Sequence, residues 1–467
     1  MPIIAMMSED TKTLAEQRGI TLTLPPKEGG TGRLPKRLPT PQEKVQNFQR
    51  GLYLKAKRRE GVRFYSLYDK VYRWEVLVES WKRIRANKGC AGVDGKTIED
   101  IEAKGAKQFL KEIQIELKAK AYRPQSIKRV YIPKPNGDKR PLGIPTIKDR
   151  VIQMAVKIII EPIFEADFQD CSYGFRPKRS AHQALKGIKG LLNRGYSQVI
   201  DADLKSCFDT IPHNRLLELI AKRITDKNIL KLINLWLKAG VVSEGAISRN
   251  SITGTPQGGV ISPLLANIYL NELDKVWKER YERKLNAHLI RYADDFVILT
   301  PRQPQEVLKT LYMIIGKLNL SLNEEKTKRL DMEKDKLTFL GFSFKKIYDI
   351  RRKARYIISF PSAKAMKTIR NRIRNLTTYR IPEKAEVIVS RLNPVIRGWA
   401  NYFIEGNSSK WFGQLRHYTE NKIRRFIQKR KLKEGFGFNI YPDQYLYGKL
   451  GLYYLTTNRL RLSSENL

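Results

Sequence analysis

The residues most able to do chemistry are acids. In Arg291-Tyr292-Ala293-Asp294-Asp295-Phe296-Val297-Ile298-Leu299, two adjacent carboxylates stand between two apolar runs. Such flanks predict a buried hairpin whose turn carries both acids without sinking either into the core. Neighbouring negative charges repel, so the pair calls for a cation, although a solvated Asp-Asp turn has the same local pattern. A second stretch is Val199-Ile200-Asp201-Ala202-Asp203-Leu204-Lys205-Ser206-Cys207-Phe208-Asp209. Strand periodicity puts Val199, Asp201 and Asp203 on one face and Ile200, Ala202 and Leu204 on the other. Asp209, with Thr210 and Pro212 after it, reads instead as the start of a helix. An acid-bearing strand beside an acid-bearing hairpin outlines a metal site, and oxygen donors without His or Cys favour Mg²⁺. Two such ions about 4 Å apart stabilise the attacking and leaving oxygens of a phosphoryl transfer.

A third signal lies between these two in the chain, Gly254-Thr255-Pro256-Gln257-Gly258-Gly259-Val260-Ile261-Ser262-Pro263-Leu264-Leu265-Ala266-Asn267. Its glycines allow close approach of backbone to a ligand, and Ser262-Pro263 starts a helix with free donors. Alone it is an ordinary loop-to-helix junction. The order of acid strand, Gly-rich loop with helix, and acid hairpin is what gives it weight.

The elements that must hold these residues read as α+β. Strands are expected at Gln198 to Leu204, Leu289 to Tyr292 and Phe296 to Thr300, with helices from Ser180, Pro212, Pro263 and Gln305 between and after them. Upstream, helical spacing runs through Trp74, Leu77, Val78, Trp81 and Ile84. A hairpin broken by prolines and Asn136-Gly137 follows between Tyr131 and Asp149, with Lys134, Lys139 and Arg140 near its tip, and then a helix from Val151 to Phe164.

Charge narrows the partners. The 467 residues contain 89 Lys+Arg against 47 Asp+Glu, a formal balance of +42, while 41% hydrophobic residues suffice for a sizeable core and exclude disorder throughout. Cys90, Cys171 and Cys207 form no CxxC pair, which argues against a disulfide framework or zinc site. No apolar run approaches the ~20 residues of a membrane span, and the first residues do not read as a secretory signal. Residues 351–380 hold ten Lys/Arg and no Asp/Glu. Within them Met366, Ile369, Ile373 and Leu376 follow helical spacing with Lys367, Arg370 and Arg374 on an adjacent face, a pattern suited to phosphate contacts.

Taken together these stretches resemble the reverse transcriptases, or maturases, encoded by bacterial group II introns. The matching segments are Lys134 to Pro145, Tyr173-Gly174-Phe175-Arg176-Pro177, Asp203 to Phe208, Thr255 to Asn267, Tyr292 to Asp295, Asn323-Glu324-Glu325-Lys326 and Phe339-Leu340-Gly341-Phe342, in family order. The resemblance implies a right-hand polymerase: a basic tail (1–42), an N-terminal extension with fingers (43–195), a palm with a ferredoxin-like sheet (196–348), a helical thumb or maturase domain (349–434) and a short C-terminal segment (435–467). It implies two Mg²⁺ held by Asp203, Asp294 and Asp295, with the Leu204 carbonyl as a further ligand; Asp201 has no assigned role. Phe208 matches the aromatic that excludes a ribose 2′-OH. Arg140 and Lys139, with Lys134, match triphosphate contacts, Gln257 lies near the templating pair, and Lys326 stands where a lysine can protonate the leaving pyrophosphate. Leu340, Gly341 and Phe342 look like a primer grip, and Lys364, Lys367, Arg370, Arg374, Arg424 and Arg425 are candidate RNA contacts.

The implied partners are intron RNA, an RNA template, a DNA primer or target, and dNTPs, in a bacterial cytoplasm and without a membrane. Many family members end in an HNH endonuclease; after Trp411 this chain has His417 as its one histidine and no cysteine, so none is expected. Its Tyr- and Leu-rich end is expected to pack on the thumb. Two other functions fit the same residues: an RNA-binding splicing cofactor with a dispensable polymerase site, and a host-recruited enzyme of phage defence or CRISPR adaptation.

Overall fold

The computed structural model describes residues 39–59, 61–133, 139–243, 246–248, 254, 258–302, 304–351, 353–431, 434–435 and 437–456. Lys134, Gln257, residues 1–38 of the expected tail and the side chain of Arg140 lie outside that description. The chain forms two compact units, one from the described residues of 33–188 and 195–329, the other from 189–194 and those from 330 onward.

In the first unit, helices cover a small sheet. The Pro41–Arg58 helix begins inside the stretch expected to be tail, because Thr40 and Glu43 close a reciprocal capping box. It packs with Trp74–Ala86 against Ile147–Glu165. That last helix is buried on nearly all sides, Asp149, Arg150 and Gln153 included, and Thr146 caps it by accepting from the Asp149 N–H. The strands Ile127–Pro133 and Lys139–Ile144 pair antiparallel, as the proline-broken pattern suggested.

The sheet that carries the acids has the order His288–Tyr292, Asp295–Thr300, Gln198–Asp203, Lys328–Asp331. Its centre is built from Val199, Ile200, Phe296, Val297, Ile298 and Leu299, all fully buried. Both faces of these strands are covered, hence continuous apolar runs instead of alternation. The Ser262–Val276 helix, with Pro263 in its first turn, contributes Leu264, Leu265, Tyr269 and Leu273 to the same core.

The second unit corrects one boundary. Residues expected to begin a helical region at 349 instead complete a three-stranded antiparallel sheet, Leu337–Phe339, Phe342–Asp349 and Ala354–Pro361. Ile357, Ser359 and Pro361 point inward in strict alternation, a period-two signal masked by the run of basic residues before it. Helices begin at Ala363 and comprise Ala363–Leu376, Ala385–Phe403 and Ser409–Arg430. Leu446, Leu450, Leu452 and Leu455 of the C-terminal segment are buried. Asn393 fastens it by donating to the Gly451 carbonyl at 2.8 Å and accepting from the Tyr453 N–H at 2.9 Å. No described helix is long and apolar enough to cross a membrane.

Candidate active site

Strand register brings the acids together. Gln198–Asp203 runs antiparallel to Asp295–Thr300 with Asp203 directly opposite Asp295, and Tyr292 pairs with Asp295 to close the turn that contains Ala293 and Asp294. Like charges placed opposite one another in a sheet repel. Burial, followed by the charges of Asp294 and Asp203, pushes the Asp295 carboxyl up to about 6, although the residue keeps solvent-exposed surface. Asp201 rises to about 7 through burial first, then Asp295 and Asp203, with Lys328 opposing.

One cation already answers this field: Lys326 Nζ lies 2.8 Å from Asp203 Oδ2. Among the described residues, no set of three or more His, Cys, Asp or Glu side chains converges tightly enough to hold an ion as it stands. The donor set nevertheless suits a hard divalent cation, being carboxylate oxygen throughout and electrostatically overcrowded. Leu204 follows Asp203 directly in the chain. Its bridge to Leu322 is made by Lys205 N–H to the Ser321 carbonyl and Asn323 N–H to the Asp203 carbonyl, which leaves the Leu204 carbonyl outside that ladder.

The acid turn is held from beneath by residues to which the sequence pattern assigned no role. Arg291 is fully buried, as is its partner Asp274, which receives Nε at 2.8 Å and also pairs with Nη2. Nη1 donates to Asn267 Oδ1 at 3.0 Å and to the Ala293 carbonyl at 2.8 Å. Burial pulls the guanidinium pKa down, but the charge and hydrogen bonds of Asp274 outweigh it, so the side chain stays charged. Asn267 in turn donates to the Gly174 carbonyl at 2.8 Å. Gly174 passes so close to the turn that a Cβ would overlap Ala293 N, and Ala293 itself takes φ +60°, a region that favours glycine or asparagine. Asn267 and Asp274 come from the Ser262–Val276 helix, so helix, loop and hairpin meet at one guanidinium. The sequence signal for this was a lone arginine within the apolar run Leu289-Ile290-Arg291, since a buried charge requires a partner.

Phe208 follows in a one-turn helix, Cys207–Thr210, half-buried against the core. Asp209 sits in the same turn, and burial raises its carboxyl pKa against the opposing charge of Arg129. At Gly258, φ +119°, a Cβ would overlap the Gly143 carbonyl, so Gly258 lies against the Lys139–Ile144 strand, on which Lys139 is exposed.

In the second unit, Leu340 and Gly341 form a turn with φ +46° and +82°. Tyr402 donates to the Leu340 carbonyl at 2.8 Å, and buried Phe342 packs on Phe403 with ring centroids 4.7 Å apart. Lys364, Lys367 and Arg374 are exposed on the Ala363–Leu376 helix, and Arg425 is exposed on Ser409–Arg430. Arg370 is half-buried, 5.7 Å from the Tyr418 ring. Arg424 departs from the expectation for an RNA contact. It is buried, donates to the Tyr441 carbonyl at 2.8 Å, pairs with Asp443 and stacks on Phe438, so it anchors the C-terminal segment.

Two family models match the chain. Residues 132–344 match the family model "Reverse transcriptase (RNA-dependent DNA polymerase)", and residues 366–437 match "Group II intron, maturase-specific domain". The chain is 35% identical over 350 residues to Protein YkfC of Escherichia coli (strain K12), an alignment covering 67% of this chain and 90% of that protein. It is 44% identical over 214 residues to the group II intron-encoded protein LtrA of Lactococcus lactis, covering 45% of this chain and 35% of LtrA. A putative COX1/OXI3 intron 1 protein of Saccharomyces cerevisiae is 26% identical over 355 residues, covering 65% of this chain and 40% of the relative.

Proposed function

Because this chain belongs to the family of group II intron reverse transcriptases with a maturase-specific domain, we infer that it copies RNA into DNA and also binds an intron RNA to promote its splicing and mobility. The observation that carries the polymerase half is the direct pairing of Asp203 with Asp295 beside a turn that adds Asp294. In this reading the sheet of the first unit is the palm, the hairpin at Ile127–Ile144 belongs to the fingers, and the helices after Ala363 are the thumb. Asp203, Asp294 and Asp295, with the Leu204 carbonyl, would hold two Mg²⁺ ions. When bound, such ions lower the pKa of a primer 3′-OH and stabilise charge on the transferring phosphoryl group.

The protein's own residues supply position and selectivity. Lys326 neutralises Asp203 in the structure; with that acid engaged elsewhere, its ammonium is free to give a proton to the departing pyrophosphate. Arg140 and Lys139 offer N–H donors to the triphosphate, and Gln257 borders the templating pair. Phe208 admits a deoxyribose and rejects a 2′-OH by contact, which makes dNTPs the substrates. Leu340, Gly341 and Phe342 steady the primer end. Lys364, Lys367, Arg370, Arg374 and Arg425 contact the RNA, and the maturase-specific domain match, which spans all of them but Lys364, supports that assignment.

The test is primer extension on an RNA template with dNTPs and Mg²⁺, run beside a splicing assay of the cognate intron at low Mg²⁺. Asp294→Ala should lower extension by at least about a hundredfold, since a metal ligand supports several kcal/mol of transition-state charge. Protein-assisted splicing should persist in that variant. Extension within about twofold of wild type in Asp294→Ala overturns the acid assignment. Absence of splicing help from the wild-type protein overturns the maturase half and leaves a host-recruited polymerase.

A further inference from the structure

The Ala363–Leu376 and Ser409–Arg430 helices pack together and leave two adjoining open hollows of about 500 and 440 Å³, which share Arg370, Gln414 and Tyr418. Both helices belong to the second unit. A hollow of this size accepts a small planar ligand.

Two polar atoms there are shielded from water and have no partner in the protein: Arg370 Nε, a donor, and Asn421 Oδ1, an acceptor. Leaving shielded groups unpaired is unfavourable, and a ligand that offers the complementary pair relieves both. Each is placed by a neighbouring side chain. The Asn421 amide nitrogen meets His417 Nε2 at 2.9 Å, which leaves the oxygen as the unpartnered end. Arg370 is steadied by the Tyr418 ring, on which Lys422 also rests at 5.5 Å, while the Tyr418 hydroxyl donates to the Arg370 carbonyl at 3.3 Å. Next to this donor-acceptor pair the charge is one-sided. Burial, then Arg425, Arg374 and Lys429, lowers the pKa of the Lys422 ammonium, so this corner gains by taking an anion.

One donor and one acceptor beside an anion site is the complement of a nucleotide, with a base edge at one end and phosphate at the other. A base already paired spends its edge on its partner. We propose that this groove captures a single unpaired nucleotide of a structured RNA, with its base edge against Arg370 and Asn421 and its phosphates at Arg374, Lys422 and Arg425. The proposal rests on the RNA-binding reading above and deepens it from a charged surface to a site that reads whether a base is paired.

The experiment compares the full-length protein binding to two RNA hairpins, one fully paired and one with a single-nucleotide bulge, by fluorescence anisotropy. Wild type should prefer the bulged RNA by about tenfold, the size of one well-made pair of base contacts. Replacing the bulged nucleotide by an abasic residue should abolish the preference. Asn421→Ala should bring it below about twofold, with the paired hairpin as internal reference. Arg370→Lys keeps the charge but loses the Nε donor and should do the same, so it decides the matter where Asn421→Ala fails to fold. Equal binding of bulged and paired RNA by wild type, undiminished binding of the abasic bulge, or a preference intact in a folded variant overturns the proposal. Failure to bind either RNA would instead remove the RNA-binding reading beneath it.

Discussion

The two units of this chain use arginine in opposite ways. At the hairpin of the first unit, Arg291 is fully enclosed and its guanidinium is held by specific partners: Asp274, Asn267 and the Ala293 carbonyl. On the first helix of the second unit, Lys364, Lys367 and Arg374 stand in solvent. A buried charge tolerates one geometry only, which suits the acid turn to the role proposed for it above. Exposed cations tolerate many geometries, which is what a surface that follows a phosphate backbone requires. Precision and capacity are thus separated along the chain, and a charge substitution should have different consequences in the two places.

The sharpest break of that contrast is Arg291→Met. It leaves Asp274 buried without a counter-charge and should cost about 3–5 kcal/mol of stability, read by chemical denaturation. Adding Asp274→Leu should restore part of the loss. A single-variant cost below about 1 kcal/mol would mean that the enclosed pair is not holding the hairpin.

Gly174→Ala tests the same turn without touching charge. The new methyl meets Ala293 backbone, which cannot swing aside, so a cost of about 1–3 kcal/mol is expected. Primer extension should fall more than RNA affinity does. A parallel fall in both would argue for general unfolding instead of a displaced acid turn.

On the exposed side, Lys364→Ala/Lys367→Ala/Arg374→Ala should leave the melting temperature nearly unchanged and reduce the salt slope of RNA binding. Each lost phosphate contact takes about 0.7–0.9 from that slope, depending on whether the RNA is single- or double-stranded. A slope that does not move places these cations away from RNA.

The smallest effect concerns Asp295. Its carboxyl is pushed up to about 6, so the metal-free folded protein binds more protons than the unfolded chain between about pH 4 and pH 6. Stability must therefore fall as pH rises through that window. Asp295→Asn should flatten this dependence, gaining stability above pH 6 and little below pH 4. An unaltered pH profile would show that the acids do not feel one another as the register implies.

Much of this was legible from residue pattern. The acid strand and acid hairpin fall within a residue of their expected bounds, and Met366, Ile369 and Ile373 are buried as their spacing required. What escaped depends on contacts between distant segments. Asp274 and Asn267 are polar residues on an amphipathic-looking helix, and nothing local says that they turn inward to meet Arg291. Arg424 and Arg425 are equally basic neighbours; the C-terminal segment that covers one and spares the other comes from residues after 437. The strand Ala354–Pro361 escaped because its alternation is short and the basic run Arg351-Arg352-Lys353 precedes it.

The pairing of Asp203 with Asp295 also bears on how the molecule is made. The two strands lie about ninety residues apart in sequence, so the loop between them must close before either acid has its neighbour, at an entropic cost that local helices do not incur. During synthesis, the helices near the N-terminal side can form early. The acidic pair cannot exist until Asp295–Thr300 has left the ribosome and paired. Until then the chain is a basic polypeptide able to attract RNA but with no means of copying it, so RNA affinity precedes catalytic competence in the life of each molecule.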